Sequence, residues 1–418
     1  MEELQPPAHL KSRRQKEIWR KQQLENMKTR KKAHETQTPF RIAERSLQSN
    51  LTTPDQPPIV DFTDLDNNTR ENRDKIQQIE LRYDLRRLCP LFGEIDEDWT
   101  AQSKRAYIHT DIEGLIFIVN PFTAAAQRTL VYNCLHNYTQ PPNLSNLDAH
   151  YDIPTPGIWN LHVKSQRDLK SDDEINNDVI CRKVSPKRQK TDSSYLTAER
   201  SNVNGQKAKE ENQDAAKNSR DLTLTPSDLV RKLRWVTLGY QYNWTTKVYD
   251  FDNPVDFPKE AGDLSVAVAK AVEGLGYKVN EVYQWQNTYK GDDFVPEAGI
   301  VNYYQLKDTL MAHVDRSEMN MEAPLVSISL GHDCTYLIGG PTRNTRPTAI
   351  RLRSGDVMVM TGSGRSAYHG VPKVLPSAPT FLQPDIKDGK VDDWGLYGEY
   401  ISKARINLNI RQVNHVKP

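Results

Sequence analysis

No stretch of this 418-residue chain stays apolar for more than about six residues, the longest running from Gly114 to Val119. A helix that crosses a bilayer needs roughly 20, so a transmembrane helix is not expected. The opening Met1, Glu2 and Glu3 lack an apolar signal region, and secretion is not expected either. Cysteine is scarce: the four present form no CxxC, which argues against a disulfide scaffold or a cysteine zinc site and fits a reducing compartment. Net charge is nearly absent at +1, which excludes a uniformly basic coat and makes any electrostatic footprint local. Apolar residues make up only 37%, against 27% charged. That is too lean for a chain folded throughout, so disordered stretches are expected around a smaller core.

What charge there is comes in blocks. Residues 9–35 hold ten basic and three acidic residues, a local surplus of +7 without Gly or Pro. They read as a solvated helix or tail, or as a phosphate-tracking arm or localisation signal. Residues 36–58 are polar and read as linker, so residues 1–58 form a basic, largely disordered arm. Residues 59–163 are expected to pack on the core, with a buried strand at 114–119 ended by Asn120-Pro121. Residues 164–226 are rich in Lys, Asp, Glu, Asn, Ser and Gln and bury too little apolar surface to offset their ordering entropy. This insert carries a small basic cluster, Pro-Lys-Arg-Gln-Lys at 186–190. The basic clusters suggest the nucleus, with the cytoplasm or mitochondrion as alternatives. In 227–418 the texture changes: a helix is expected near 264–275 and short strands at 299–304, 325–330, 335–338, 348–352, 357–360 and 405–411. Many short strands divided by turns imply a β-sandwich or barrel.

Within that barrel region His313 and Asp315 stand two residues apart, on one face of an extended segment. Two such ligands and a distant His form the facial triad of non-haem Fe(II) oxygenases. The spacing alone is weak, since His109/Asp111 and His150/Asp152 share it. Only His313/Asp315 lies among the strands and is followed by a well-placed His369, so the other two pairs are assigned to structure or solvent. His332, in a turn, and His415, near the last residue, compete with His369. Farther on, residues 405–411 alternate strictly, with Ile406, Leu408 and Ile410 on one side and Arg405, Asn407 and Arg411 on the other. Two arginines on a cavity-lining face suit a small dicarboxylate, because a guanidinium fork grips a carboxylate bidentately and keeps its charge.

The ordered set Asn302-Tyr303-Tyr304, His313-x-Asp315, His369 and Arg405-x-Asn407-x-x-x-Arg411 resembles the AlkB-type dioxygenases, nearest to the eukaryotic homologue-one group. Supporting stretches are 233–244 (LRWVTLGYQYNW), 297–304 (EAGIVNYY), 313–318 (HVDRSE) and Leu375-Pro376. The resemblance covers 228–413 closely and 114–162 loosely. It implies a mixed α+β fold: a double-stranded β-helix (jelly roll) with flanking helices and a nucleotide-recognition lid. It further implies that His313, Asp315 and His369 bind Fe(II), and that Asn302, Tyr304, Arg405, Asn407 and Arg411 hold 2-oxoglutarate. O2 would oxidise N-methyl groups on nucleic acid, releasing formaldehyde, succinate and CO2.

A base must leave its stack to reach such a site, and aromatic faces replace the lost stacking. Tyr240, Gln241 and Tyr242 match the family's substrate-contacting segment, and Trp159 matches a further tryptophan ahead of it. Ser317 stands where the bacterial member has an acidic residue that helps read the base, a departure from the pattern, and Glu318 beside it is a candidate substrate contact. The leading expectation is a demethylase of methyladenine in DNA or RNA, including tRNA. The alternatives are the same chemistry on a methylated protein such as a histone, or a catalytically silent nucleic-acid-binding scaffold. No membrane partner is expected, and the sequence leaves the oligomeric state open.

Overall fold

A computed structural model describes residues 16–19, 21, 38–49, 53–95, 104–168, 180, 183, 224–244, 246–387, 389, 391 and 393–415. Two sheets organise them. The larger, eight-stranded sheet runs in the order Ile76–Glu80, Arg105–His109, Leu115–Ile118, Val357–Met360, Leu325–Gly331, Ala404–Arg411, Ala298–Gln305, Trp235–Gly239. The smaller, five-stranded sheet runs Ile59–Val60, Thr348–Leu352, Asp333–Ile338, His369–Leu375, Leu310–His313. Pairing is antiparallel throughout the described strands except where Ile59–Val60 lies parallel to Ala349 and Ile350. The fold is therefore mixed α/β with antiparallel sheets, as a jelly-roll core requires.

The two-residue period of a strand sorts its side chains between faces. Phe117, Leu325 and Met358 of the large sheet share one buried cluster with Val60, Cys334, Tyr336, Ile350 and Val371 of the small sheet, so the sheets face each other. Positions of opposite parity, such as Val326, Ile328, Ile406, Leu408 and Ile410, join a second core beneath the helices Ala124–Tyr132, Ile158–Asp168, Lys259–Ala271 and Trp394–Ile401. The expected alternation of 405–411 is thus realised, but both of its faces are buried. Strands expected at 299–304, 325–330, 335–338, 348–352, 357–360, 405–411 and within 114–119 are all present, with ends moved by one or two residues. The expected helix near 264–275 runs from Lys259 to Ala271.

Two stretches read as unstructured contain order. Inside the supposed linker, Pro39–Gln48 is a helix capped by the Thr38 hydroxyl. Its Phe40, Ala43 and Leu47 recur at helical spacing and pack on Ala312, Leu337 and Ala349, the outer face of the small sheet. Polar neighbours diluted that pattern. At the insert's borders, the helix Ile158–Asp168 runs past 164, Ile180 bridges to Leu224, and Thr225 and Asp228 form a capping box at the start of Pro226–Val230. The rest of the insert, including 186–190, and most of the arm at 9–35 lie outside the described residues. No described helix is long and apolar enough to cross a membrane.

Candidate active site

The site lies between the sheets, where the small sheet ends. His313 closes the edge strand Leu310–His313 and sits opposite His369, the first residue of the neighbouring strand. Their ring centroids are 4.4 Å apart. Asp315, two residues on, brings a carboxylate oxygen to 3.7 Å from His313 Nε2. One ligand atom from each of His313, Asp315 and His369 lies within 4.8 Å of the others.

Both imidazoles are held in one tautomer. His313 Nδ1 is 2.9 Å from the Met311 carbonyl and His369 Nδ1 is 3.1 Å from the Ala367 carbonyl. A carbonyl only accepts, so each Nδ1 carries a proton, and in the neutral ring Nε2 is the nitrogen left to coordinate. Burial, seconded by the nearby His313, pulls the His369 pKa down to about 4, which keeps it neutral. Burial alone would push the Asp315 carboxyl up, but the Arg411 guanidinium outweighs it and holds it well below the usual carboxylate range. Two imidazole nitrogens and one carboxylate form a donor set suited to a divalent first-row metal.

Behind the triad, Arg411 spans Asp315 (3.2 Å) and Glu318 (2.7 Å). Glu318 in turn accepts from the Tyr249 hydroxyl at 2.9 Å and faces Arg365 at 3.5 Å. Two carboxylates and two guanidiniums thus balance, which buried charge requires. At the other end of the strand, Arg405 is 1% exposed. One of its nitrogens donates to Ser329 Oγ at 3.0 Å, and its guanidinium lies 5.1 Å from the Tyr304 ring centroid. Its Nε and Nη1 are buried without a nitrogen or oxygen hydrogen-bond partner among the described residues. A buried guanidinium left with free donors is costly unless an anion completes it, so a carboxylate fits there. Asn302 and Asn407 are cross-strand partners on the same face, with Asn407 tied to Ser327.

The other expected site residues fare differently. Tyr240 precedes, and Tyr242 sits within, a small hairpin, Gln241–Asn243 with Val248–Asp250. Tyr240 packs edge-on to Phe251, and the Tyr242 hydroxyl lies 2.9 Å from Ser317 Oγ. Both are half-buried, in an aromatic cluster with exposed Trp244. Gln241 does not face a substrate: its buried amide bonds Thr237, Leu144 and Gly239, because it anchors the hairpin to the large sheet. Trp159 is fully buried in the helical core against Tyr397 and Tyr400, on the opposite side of the large sheet. Glu318 is a buried counter-ion rather than a base-reading group. The competitors fall away too: His332 bonds Ser402 and Ser377, and His109 is buried in a strand while Asp111 pairs with Lys75. Missed from sequence were Arg365, Tyr249 and Tyr336, whose ring stacks 5.9 Å from His369. Tyr336 stands in a strand buried throughout, and Arg365 carries no spacing signal.

The model of the 2OG-Fe(II) oxygenase superfamily matches residues 182–411, more than half of the chain. The chain belongs to the 2OG-Fe(II) oxygenase superfamily. Its cofactors are those of that superfamily, Fe(II), 2-oxoglutarate and O2. Relatives include the nucleic acid dioxygenase ALKBH1 of Mus musculus, 34% identical over 74% of this chain and 66% of that protein. The human protein of the same name is 33% identical over 75% of this chain and 67% of its own length. The tRNA demethylase abh1 of Schizosaccharomyces pombe is 45% identical over 46% of this chain and 56% of its own. Within the superfamily the chain falls in the AlkB-type, homologue-one branch. Its alignment spans about two thirds of the mammalian relatives' length or slightly less.

Proposed function

We propose that this chain oxidatively demethylates N-methylated bases, methyladenine foremost, in DNA or RNA including tRNA, with release of formaldehyde, succinate and CO2. One observation carries the reading: two imidazoles whose Nδ1 atoms are tied to carbonyls and a carboxylate sit in the same inter-sheet space as a buried Arg405 with two donors unpartnered among the described residues. His313, Asp315 and His369 would hold Fe(II). Asn302, Tyr304, Arg405, Asn407 and Arg411 would line the 2-oxoglutarate pocket, with Arg405 at the distal carboxylate and Arg411 nearer the metal end. Bound together, these cofactors supply the oxidising equivalents for breaking a C–H bond of the methyl group. The protein binds, orients and shields. Arg405 fixes one end of the diacid, and Tyr304, whose hydroxyl burial pushes up to about 12, stays a neutral donor beside it.

In this reading the double-stranded β-helix carries a lid, the hairpin at 241–250, whose Tyr240 and Tyr242 would receive an extruded base; stacking on such rings contributes about 1–3 kcal/mol per base. The names of the relatives, a nucleic acid dioxygenase and a tRNA demethylase, point the same way. Mass spectrometry of modified nucleosides after incubation with Fe(II), ascorbate and 2-oxoglutarate tests it, with a methylated histone peptide in parallel. Loss of methyladenine with formaldehyde is expected; formaldehyde from the peptide alone would overturn the nucleic-acid reading. Nuclear targeting by the basic clusters is part of the proposal, and imaging of the chain with residues 186–190 neutralised tests it.

A further inference from the structure

We infer that Glu44, on the helix Pro39–Gln48, is a positioning residue for His313; the inference rests on the metal reading proposed above. The strand Leu310–His313 lies at the end of its sheet, so one of its edges has no neighbouring strand among the described residues. Its pairing is irregular as well. Leu310 stands opposite Val371 and His313 opposite His369, so this stretch holds one residue more than its partner. Such a bulge bends a strand and takes backbone groups out of the ladder.

Ala312 sits inside that stretch, and side chains from elsewhere secure its backbone. Its N–H donates to a Glu44 carboxylate oxygen at 2.7 Å, across 268 residues of sequence. Its carbonyl accepts from Arg343 at 2.9 Å. The Glu44 side chain is 2% exposed, and its second oxygen accepts from Arg41 at 2.9 Å. A carboxylate is expensive to bury, and this one is compensated by one guanidinium and one amide. Phe40, Ala43 and Leu47 seat the helix on Ala312, Leu337 and Ala349, which brings Glu44 within reach. The Ala312 peptide leads directly into His313. Holding it sets where the His313 Cα stands relative to His369, while the bond from Nδ1 to the Met311 carbonyl sets the ring. Glu44 therefore acts through the backbone on the separation of the two Nε2 atoms and touches no ligand.

The test is Mn(II) binding to the full chain by titration calorimetry, at a temperature where every form is folded. Glu44→Ala is expected to weaken binding about tenfold, the lower end of what loss of a ligand's supporting partner costs. Glu44→Gln, whose amide oxygen still accepts the Ala312 N–H, should recover most of it. Leu47→Ala loosens the same helix and should lower Tm without an equal loss of Mn(II) affinity. An affinity within twofold of the parent for Glu44→Ala overturns the inference. Hydrogen exchange on the parent protein gives a second readout that survives if that variant does not fold. Coupling is reciprocal, so Mn(II) should slow exchange at Ala312 and along 39–48, and unchanged exchange there overturns the inference. Asp315→Ala in the same titration separates the failures. If it binds Mn(II) as tightly as the parent, the metal reading itself fails; if only Glu44→Ala is unaffected, the positioning role alone falls.

Discussion

Asp315 joins the three ligand atoms to the charged groups behind them, since it faces His313 on one side and Arg411 on the other. Asp315→Ala is expected to abolish turnover while leaving affinity for a methylated oligonucleotide within a few-fold; activity that persists after metal reconstitution would contradict the ligand assignment. At Arg405 the expectation is quantitative. Its two unpartnered donors would each make a charge-assisted bond, worth about 1.5–3 kcal/mol. The two bonds together come to about 3–6 kcal/mol, so Arg405→Met should raise the KM for 2-oxoglutarate by roughly 100-fold or more, at 1.4 kcal/mol per factor of ten, and a KM within threefold of the parent would refute the pocket assignment. These residues were readable in the sequence because strand alternation sends 405, 407 and 411 to one side. Glu318 was not: next to a ligand, a carboxylate that reads a base and one that neutralises Arg411 and Arg365 are spelled alike.

At the scale of elements, the hairpin Gln241–Asn243/Val248–Asp250 is tied to the loop after His313 by Tyr242 to Ser317 and by Tyr249 to Glu318. Tyr249→Phe keeps the ring packing and removes one bond to a charged group, so it should cost about 1.5–3 kcal/mol in urea unfolding; an unchanged midpoint would show that the tie carries nothing. The turn at Ser354-Gly355-Asp356, which links a strand of the small sheet to one of the large, supplies a pH-dependent contribution. Burial pushes the Asp356 carboxyl up to about 7, against the pull of the Arg353 and Asn120 N–H groups. The folded state thus binds its proton more tightly than the unfolded chain. The stabilisation is full below the ordinary value of 3.8 and is lost as pH rises through about 7. Asp356→Asn should flatten the fall of Tm between pH 4 and 7, as scanning calorimetry across that range would register. The helix Pro39–Gln48 shows why the linker was misjudged: three apolar contacts in ten residues are enough when a sheet face waits for them, and no local count reveals that face.

For the molecule as a whole, the described residues between 59 and 118 give one strand to the smaller sheet and three to the larger. The basic surplus of 9–35 lies just ahead of the helix that braces the metal-site strand. Deleting residues 1–35 is expected to weaken oligonucleotide binding and to flatten its dependence on log salt, since fewer phosphates are neutralised and fewer counterions released; an identical slope would leave the arm a targeting tail. By itself the sequence determined the strand run and the two periodicities, and it put forward the candidate ligand and arginine positions, because residue type and spacing along a strand are local. Only the tertiary structure decided which aromatics are core, as with Trp159, which carboxylate neutralises which guanidinium, and that a helix near the start of the chain secures Ala312. Those are contacts between residues tens to hundreds of positions apart, and a chain has no local pattern that records who its distant neighbours are.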